Sequence, residues 1–307
     1  MRVILYKLIT VLMLSLLMLS CSNNGKSIDD GEVDMFKDAT VSYLGPEGTY
    51  TQQASEYFFG DARIMIAKES VDKAIESVLN NECNFAVIPQ ENTLGGAVTN
   101  YVDALIENEN IYIVGEVIIP ISQTLMGLQD SDIKDIKTVY SHAQGIIQSG
   151  NWRKENMPDA AVQETASTAA AASFVAQSND KTIAAIAAPK AAEIYGLKIL
   201  AENVQISSAN KTRFYVLSKE KLSGKKTNAV LVAQCYGDFI DDIIVKIHNA
   251  NLELVSIHDR PKGDELGSYN YIIEVINTDG INDKQIEVID SIEEVRLLGC
   301  FNVIEGE

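Results

Sequence analysis

Amide, hydroxyl and guanidinium side chains crowd into one stretch, Asn210-Lys211-Thr212-Arg213-Phe214. It runs straight into Phe214-Tyr215-Val216-Leu217, an apolar segment that reads as a strand. At a period of two, Thr212 and Phe214 share one face and Arg213 takes the other. Such a strand mouth has the chemistry to hold a small anion with an apolar body. A loop entering an ordinary strand would use the same residues, so the meaning depends on the rest of the chain.

Further hydroxyls and amides recur where apparent strands give way to apparent helices. Thr49 follows a strand over 40–44, and Asn92 and Thr93 follow one over 85–89. Ser141 and His142 follow 137–140, and Ser167 and Thr168 follow 162–164. Helices are expected over 50–59, 98–107, from 141, over 165–176, and from Pro189, a proline position that favours a helix start. A strand over 183–187 precedes that last helix. Strands alternating with helices predict a mostly parallel α/β sheet, whose ligands bind at the carboxyl ends of the strands. Free N–H groups and the helix dipole there favour an anion. Ser, Thr and Asn also cap helices with no ligand involved.

From residue 228 the pattern changes to strand 229–234, helix 238–250, strand 253–258, strand 269–275, helix 283–292 and a last strand within 294–304. That order, βαββαβ, predicts a ferredoxin-like domain.

The composition narrows the partners. A net charge of −18 over 307 residues offers no basic stripe for nucleic acid. The four cysteines and three histidines show no metal-ligand spacing, so no metal site is expected. Neither a complete phosphate-binding glycine-lysine loop nor a dinucleotide glycine motif is present.

Arg2 and Lys7 precede an apolar run over 8–19, followed by Ser20 and Cys21. Residues 1–20 therefore read as an export signal, too short for a comfortable membrane span. Cys21 in that position resembles the lipidated cysteine of a bacterial lipoprotein, with Met18 and Leu19 departing from the usual pattern. Residues 21–38 then form a polar tether to a membrane reached only through the lipid. The alternative is a true start at Met35 and a cytoplasmic protein.

Taken together, Leu44-Gly45-Pro46-Glu47-Gly48-Thr49-Tyr50, Pro89-Gln90-Glu91-Asn92-Thr93-Leu94-Gly95-Gly96, Tyr140-Ser141-His142-Ala143-Gln144, Ala166-Ser167-Thr168-Ala169 and Asn210-Lys211-Thr212-Arg213-Phe214 resemble the motifs of prephenate dehydratase, in the family's order. The resemblance implies a two-lobed catalytic domain like a type II periplasmic binding protein (39–219), a linker (220–227) and an ACT domain (228–307). It implies conversion of prephenate to phenylpyruvate, water and CO2 in phenylalanine biosynthesis, a carbon–oxygen lyase reaction with no cofactor.

By motif match, Thr212 would serve the leaving hydroxyl as a hydrogen-bond donor, since its own proton is too tightly held for ordinary acid work. Arg213 would pair with a substrate carboxylate or orient the Thr212 strand through an internal ion pair. Phe214 would pack near the ring and exclude water. Thr49, Asn92, Thr93, Ser141, His142, Ser167, Thr168 and Asn210 form the expected substrate-binding set, with His142 equally suited to capping a helix. Thr93 stands where the family usually has serine.

The ACT half departs more. His258-Asp259-Arg260-Pro261 replaces the family's glutamate-serine-arginine-proline, and Gly237-Asp238-Phe239 replaces its glycine-alanine-leucine. Phe239 could fill the amino-acid pocket from inside, which leaves open whether phenylalanine, another amino acid or no effector binds. A homodimer or homotetramer is expected. Cys235 and Cys300 fall on neighbouring strands of such a domain, and export would permit a disulfide. A non-catalytic lipoprotein that binds an aromatic or keto-acid anion, or an amino-acid sensor, would keep the same fold.

Overall fold

The computed structural model describes residues 36, 38–60, 64–222 and 224–306. The expected signal, Cys21 and nearly all of the tether lie outside the described residues. Three sheets organise the rest. The elements of the first are β1 (Thr40–Leu44), α1 (Tyr50–Phe59), β2 (Ile64–Lys68), α2 (Val71–Leu79), β3 (Phe85–Asn92), β4 (Gly96–Ala97), α3 (Thr99–Glu107) and β5 (Tyr112–Pro120). The chain then crosses to a second sheet. It carries β6 (Thr124–Gly127), β7 (Thr138–Ser141), α4 (Ala143–Gln148), α5 (Gly150–Asn156), β8 (Ala161–Glu164), α6 (Thr168–Ser178), β9 (Ile183–Ala187), α7 (Pro189–Tyr195) and β10 (Lys198–Ala201). It returns along β11 (Lys211–Ser218).

The first sheet runs β16-β5-β11-β3-β1-β2 with β4 on β3, and the second runs β10-β6-β9-β7-β8, β16 being the last strand, Val303–Glu305. Both are mixed rather than mostly parallel. β1 pairs in parallel with β2 and β3, but β11 is antiparallel to both β3 and β5. The reason is the double crossing. Strands β5 and β11 carry the chain out of and back into the first lobe, so they must run in opposite directions. β11 sits centrally between β3 and β5, and Phe214 to Leu217 are all buried, which suits its continuous apolar sequence.

The remaining elements are β12 (Lys226–Tyr236), α8 (Ile240–Asn249), β13 (Glu253–Pro261), β14 (Ser268–Ile281), α9 (Asp283–Asp290), β15 (Val295–Phe301) and β16. The third sheet is antiparallel in the order β13-β14-β12-β15, the ferredoxin-like arrangement. Its alternation is two-sided. Ala229, Leu231, Ala233 and Ile273 pack with Ile243, Ile247 and Ile289 under the helices. Val230, Val232, Ile272 and Leu298 point the other way, onto Tyr101, Leu105, Tyr215 and Leu217 of the first lobe. Each such buried side chain contributes roughly 1.5–3 kcal/mol, so this sheet and the first lobe share one core.

Two features go beyond the sequence reading. β16 leaves the third sheet and pairs in parallel with β5. Gly299 lets β15 pass directly over β5, since a Cβ there would fall on the Ile113 carbonyl. The disulfide that export would permit is not formed in this structure. Cys235 and Cys300 are free, and although β12 and β15 are neighbours, Cys300 lies opposite Ala229. Six residues of strand separate Ala229 from Cys235, about 20 Å at the usual rise.

Candidate active site

The junction between the two lobes is built from helix starts. Thr49 caps α1, its hydroxyl accepting from the Gln52 N–H at 3.4 Å and donating to the Leu44 carbonyl at 3.2 Å. His142 caps α4 through Nδ1, which accepts from the Gln144 N–H at 3.3 Å. Ser167 caps α6 by accepting from the Ala170 N–H at 3.0 Å. These are the side chains' own capping bonds, and they orient three helix starts towards one cavity.

That cavity has a volume of about 270 Å3 and is lined by Thr49, Asn92, His142, Ser167, Thr168, Thr212 and Phe214 among others. Seven predicted residues from five separate segments are thus brought together. No Lys, Arg, Asp or Glu lines it among the described residues. A larger recess of about 860 Å3, beside Lys225 and Asn282 in the third sheet's layer, contains none of the predicted catalytic or substrate-binding residues.

At the floor, the Asn92 side chain joins the strands. Its Nδ2 donates to Thr212 Oγ1 at 2.8 Å and to Asn210 Oδ1 at 2.9 Å. Its Oδ1 accepts from the Leu94 and Gly95 N–H groups at 3.0 Å each and from Gln144 Nε2 across the cleft at 3.2 Å. Gly95 permits that approach, because a Cβ there would collide with the Gln144 amide.

Three predicted binding residues do not reach the cavity. The Thr93 hydroxyl is engaged with both backbone groups of Lys211, donating to its carbonyl and accepting from its N–H. Ser141 is fully buried and donates to the Ile186 carbonyl at 2.7 Å. Asn210 is fully buried beneath Asn92. All three fasten the strands that carry the lining residues.

Arg213 turns to the opposite side of β11, where its geometry follows the internal ion-pair alternative. Nε and Nη2 make a two-pronged contact with Glu116 at 2.7 and 2.8 Å. Nη2 also reaches Glu274 at 2.7 Å, and Nη1 reaches Glu91 at 3.2 Å. Burial opposes the charge of Arg213, but the Glu116 and Glu274 carboxylates outweigh it and hold the guanidinium firmly protonated. Burial raises the Glu116 carboxyl above its ordinary value, only partly offset by Arg213.

Among the residues named for regulation, Phe239 is exposed at the start of α8, so it does not fill a pocket from inside. Gly237 and Asp238 lie in the turn before it, and Asp259 and Pro261 are exposed on β13. His258 is half-buried on the same strand. Arg260 instead makes a two-pronged ion pair with Asp103 of α3, both contacts at 2.7 Å.

Sequence reasoning missed Tyr50, Gln123, Gln144 and Gln148, which also line the cavity. Gln144 and Gln148 are one helical turn apart and so face the same way, a signal the sequence did contain. Gln123 Nε2 donates to Gln148 Oε1 at 3.0 Å.

A prephenate dehydratase family model matches residues 41–222. The chain belongs to the prephenate dehydratase family. It is 32% identical over 280 residues to a prephenate dehydratase of Lactococcus lactis, covering 86% of this chain and 97% of the relative. It is 33% identical over 279 residues to the one from Methanocaldococcus jannaschii, covering 86% and 98%. A solved prephenate dehydratase from Arthrobacter aurescens, in complex with L-Phe, superposes with a TM-score of 0.77 at 26% identity, over 86% of this chain and 90% of that one. The Staphylococcus aureus enzyme shares the fold, with a TM-score of 0.72 at 24% identity over 86% of this chain and all of that one.

Proposed function

We propose that this chain is a carbon–oxygen lyase that converts prephenate to phenylpyruvate in the cavity between the first two lobes. The ring carboxylate leaves as CO2, and the electrons of its C–C bond flow into the ring. The ring C–O bond breaks at the same time with its electron pair, and the departing hydroxide, steadied by a hydrogen bond, takes a proton that comes in the end from solvent to become water. The cavity suits both halves of this step. With no lysine or arginine on its lining, a ring carboxylate inside it gains no ion pair, so its loss is not opposed by one. The side-chain carboxylate of the pyruvyl arm would be held by hydroxyls, amides and helix starts.

The observation that carries the reading is the 2.8 Å bond from Asn92 Nδ2 to Thr212 Oγ1. Since Asn92 supplies a donor to that oxygen, the hydroxyl's own proton is turned elsewhere and is free to donate a hydrogen bond, without being transferred, to the leaving oxygen in the cavity. Thr212 is the catalytic residue of this reading, and Phe214 closes the apolar side. The test is turnover of prephenate by wild type, Thr212→Ser and Thr212→Ala. Removing one such donor costs about 100- to 1,000-fold in kcat. Thr212→Ala should lose that much while Thr212→Ser retains most of the rate. Folded wild type that makes no phenylpyruvate would overturn the assignment.

The third sheet and its helices fit an ACT domain over 228–307 that binds an amino acid, with phenylalanine the first to test. Support comes from the ferredoxin-like order and from Phe239 standing clear of the interior. β13 is an unpaired edge with Leu254, Val255 and Ile257 exposed, which suits pairing with a second copy. The basic-then-apolar start and Cys21 support export and lipidation, to be tested by membrane fractionation with a labelled lipid.

A further inference from the structure

β3 and β11 do not pair evenly beneath the cavity. Arg213 stands opposite Glu91 and Phe214 opposite Pro89, so Gln90 is the extra residue of a bulge. A bulge interrupts the ladder locally, and the neighbouring residues need other anchors to keep one position. Glu116 and Glu91 hold Arg213 from within the first sheet, and a further anchor that also reaches the bulge comes from the third sheet. Glu274 of β14 is buried, and its Oε1 accepts from Gln90 Nε2 and from the Tyr215 hydroxyl, each at 2.6 Å. Its Oε2 accepts from Arg213 Nη2 at 2.7 Å. One side chain therefore grips the bulged residue of β3 and two residues of β11. Gln90 lies two residues before Asn92, and Arg213 is the residue after Thr212.

We propose that Glu274 is a positioning residue for the Asn92–Thr212 pair, acting through Gln90 and Arg213 from the C-terminal sheet. The inference rests on the proposed dehydratase reading for its kinetic consequence and on geometry alone for its structural one. The cavity's hydroxyl must meet a leaving oxygen within hydrogen-bond range, and misplacement by about 1 Å costs on the order of 100-fold in rate. A β14 strand that shifts with its own sheet would carry Gln90 and Arg213 with it. The C-terminal sheet is then part of what sets catalytic geometry, although it contributes no atom to the cavity lining.

The test uses the full chain with Glu274→Gln, which keeps the shape but removes the charge, and replaces one acceptor with an amide donor. The expected result is a kcat about tenfold lower with KM within about twofold, by the same positioning argument. In an Arg213→Met background Glu274→Gln should cost less than it does in wild type, because only the contacts to Gln90 and Tyr215 are left for it to disturb. Arg296→Met serves as the control. It removes a different contact between the third sheet and the first lobe, from Arg296 Nη2 on β15 to the Leu105 carbonyl of α3 at 2.9 Å, and should lower Tm without changing kcat.

Crystal structures of wild type and Glu274→Gln decide the matter independently of rate. The Asn92 Nδ2 to Thr212 Oγ1 distance, 2.8 Å here, should open beyond hydrogen-bond range in the variant. A distance that is kept overturns the inference whatever the kinetics. Should Glu274→Gln fail to fold, Glu274→Asp keeps the charge but draws the carboxylate back from Gln90, Tyr215 and Arg213 alike, and the same distance is read. Wild type that is folded but inactive would overturn the dehydratase reading and leave the structural comparison in force.

Discussion

The two faces of β11 are chemical opposites. Towards the cavity it presents Thr212 and Phe214, among lining residues that include no lysine, arginine or carboxylate. Towards the third sheet it presents Arg213 and Tyr215, where one guanidinium meets Glu91, Glu116 and Glu274. A two-residue period makes the separation automatic: adjacent side chains on a strand cannot share a face. The strand thus gains the rigidity of a buried, charge-assisted network without lending charge to the cavity. A cation on the cavity side would hold the carboxylate whose loss the reaction requires. The same cation behind the strand only fixes backbone position.

The strongest way to break the comparison is Arg213→Met. It leaves Glu116 and Glu274 buried without their guanidinium. Losing one partner of a buried pair typically costs about 3–5 kcal/mol. Urea unfolding should show a loss of that size, and Tm should fall by on the order of 10 °C. A loss below about 1 kcal/mol, the level of exposed ion pairs, would mean the cluster is solvated and the contrast between the faces is shallow.

A gentler probe titrates the charged face. Burial raises the Glu116 carboxyl above its ordinary value of 4.5, against the pull of Arg213. A carboxyl that holds its proton more tightly when folded stabilises the fold fully below its unfolded pKa. That stabilisation is lost as pH rises through the folded pKa. The stability of wild type relative to Glu116→Gln should therefore decline as pH climbs from about 4.5, and level off once Glu116 is ionised in both states. A difference that grows with pH would show that Arg213 outweighs burial at this carboxyl.

Much of this arrangement was legible in the chain. The strand and helix of Thr40–Leu44 and Tyr50–Phe59, and the helix start at Pro189, follow from apolar patterning and turn residues. The alternation of Thr212, Arg213 and Phe214 already set Arg213 on the other face. What it faces was not legible, because Glu116 and Glu274 lie 97 and 61 residues away and carry no local signature. The same holds for Val303–Glu305, whose three residues could extend any exposed edge and join β5. Thr93 and Ser141 were grouped with the lining residues because a hydroxyl at a strand end looks the same whether it meets a ligand or a neighbouring backbone group. Only the paired strand tells them apart.

The smallest effect concerns His142, the one imidazole among the described residues that line the cavity. His142 does a definite structural job through Nδ1, accepting the Gln144 N–H that opens α4. Asparagine is among the best residues at an N-cap and can accept the same bond through its side-chain oxygen. His142→Asn should therefore keep α4 and hold kcat within about threefold, since capping losses between good caps are only tenths of a kcal/mol. His142→Ala would lose the bond and cost about 1 kcal/mol of stability. If His142→Asn folds normally yet loses more than tenfold in kcat, the ring acts on substrate directly. The cavity face would then carry a titratable group in the chemistry, and the division of charge between the two sides of β11 would be one of degree. A small effect limits His142 to its capping bond and leaves the proposed role of Thr212 and Asn92 unopposed by that ring.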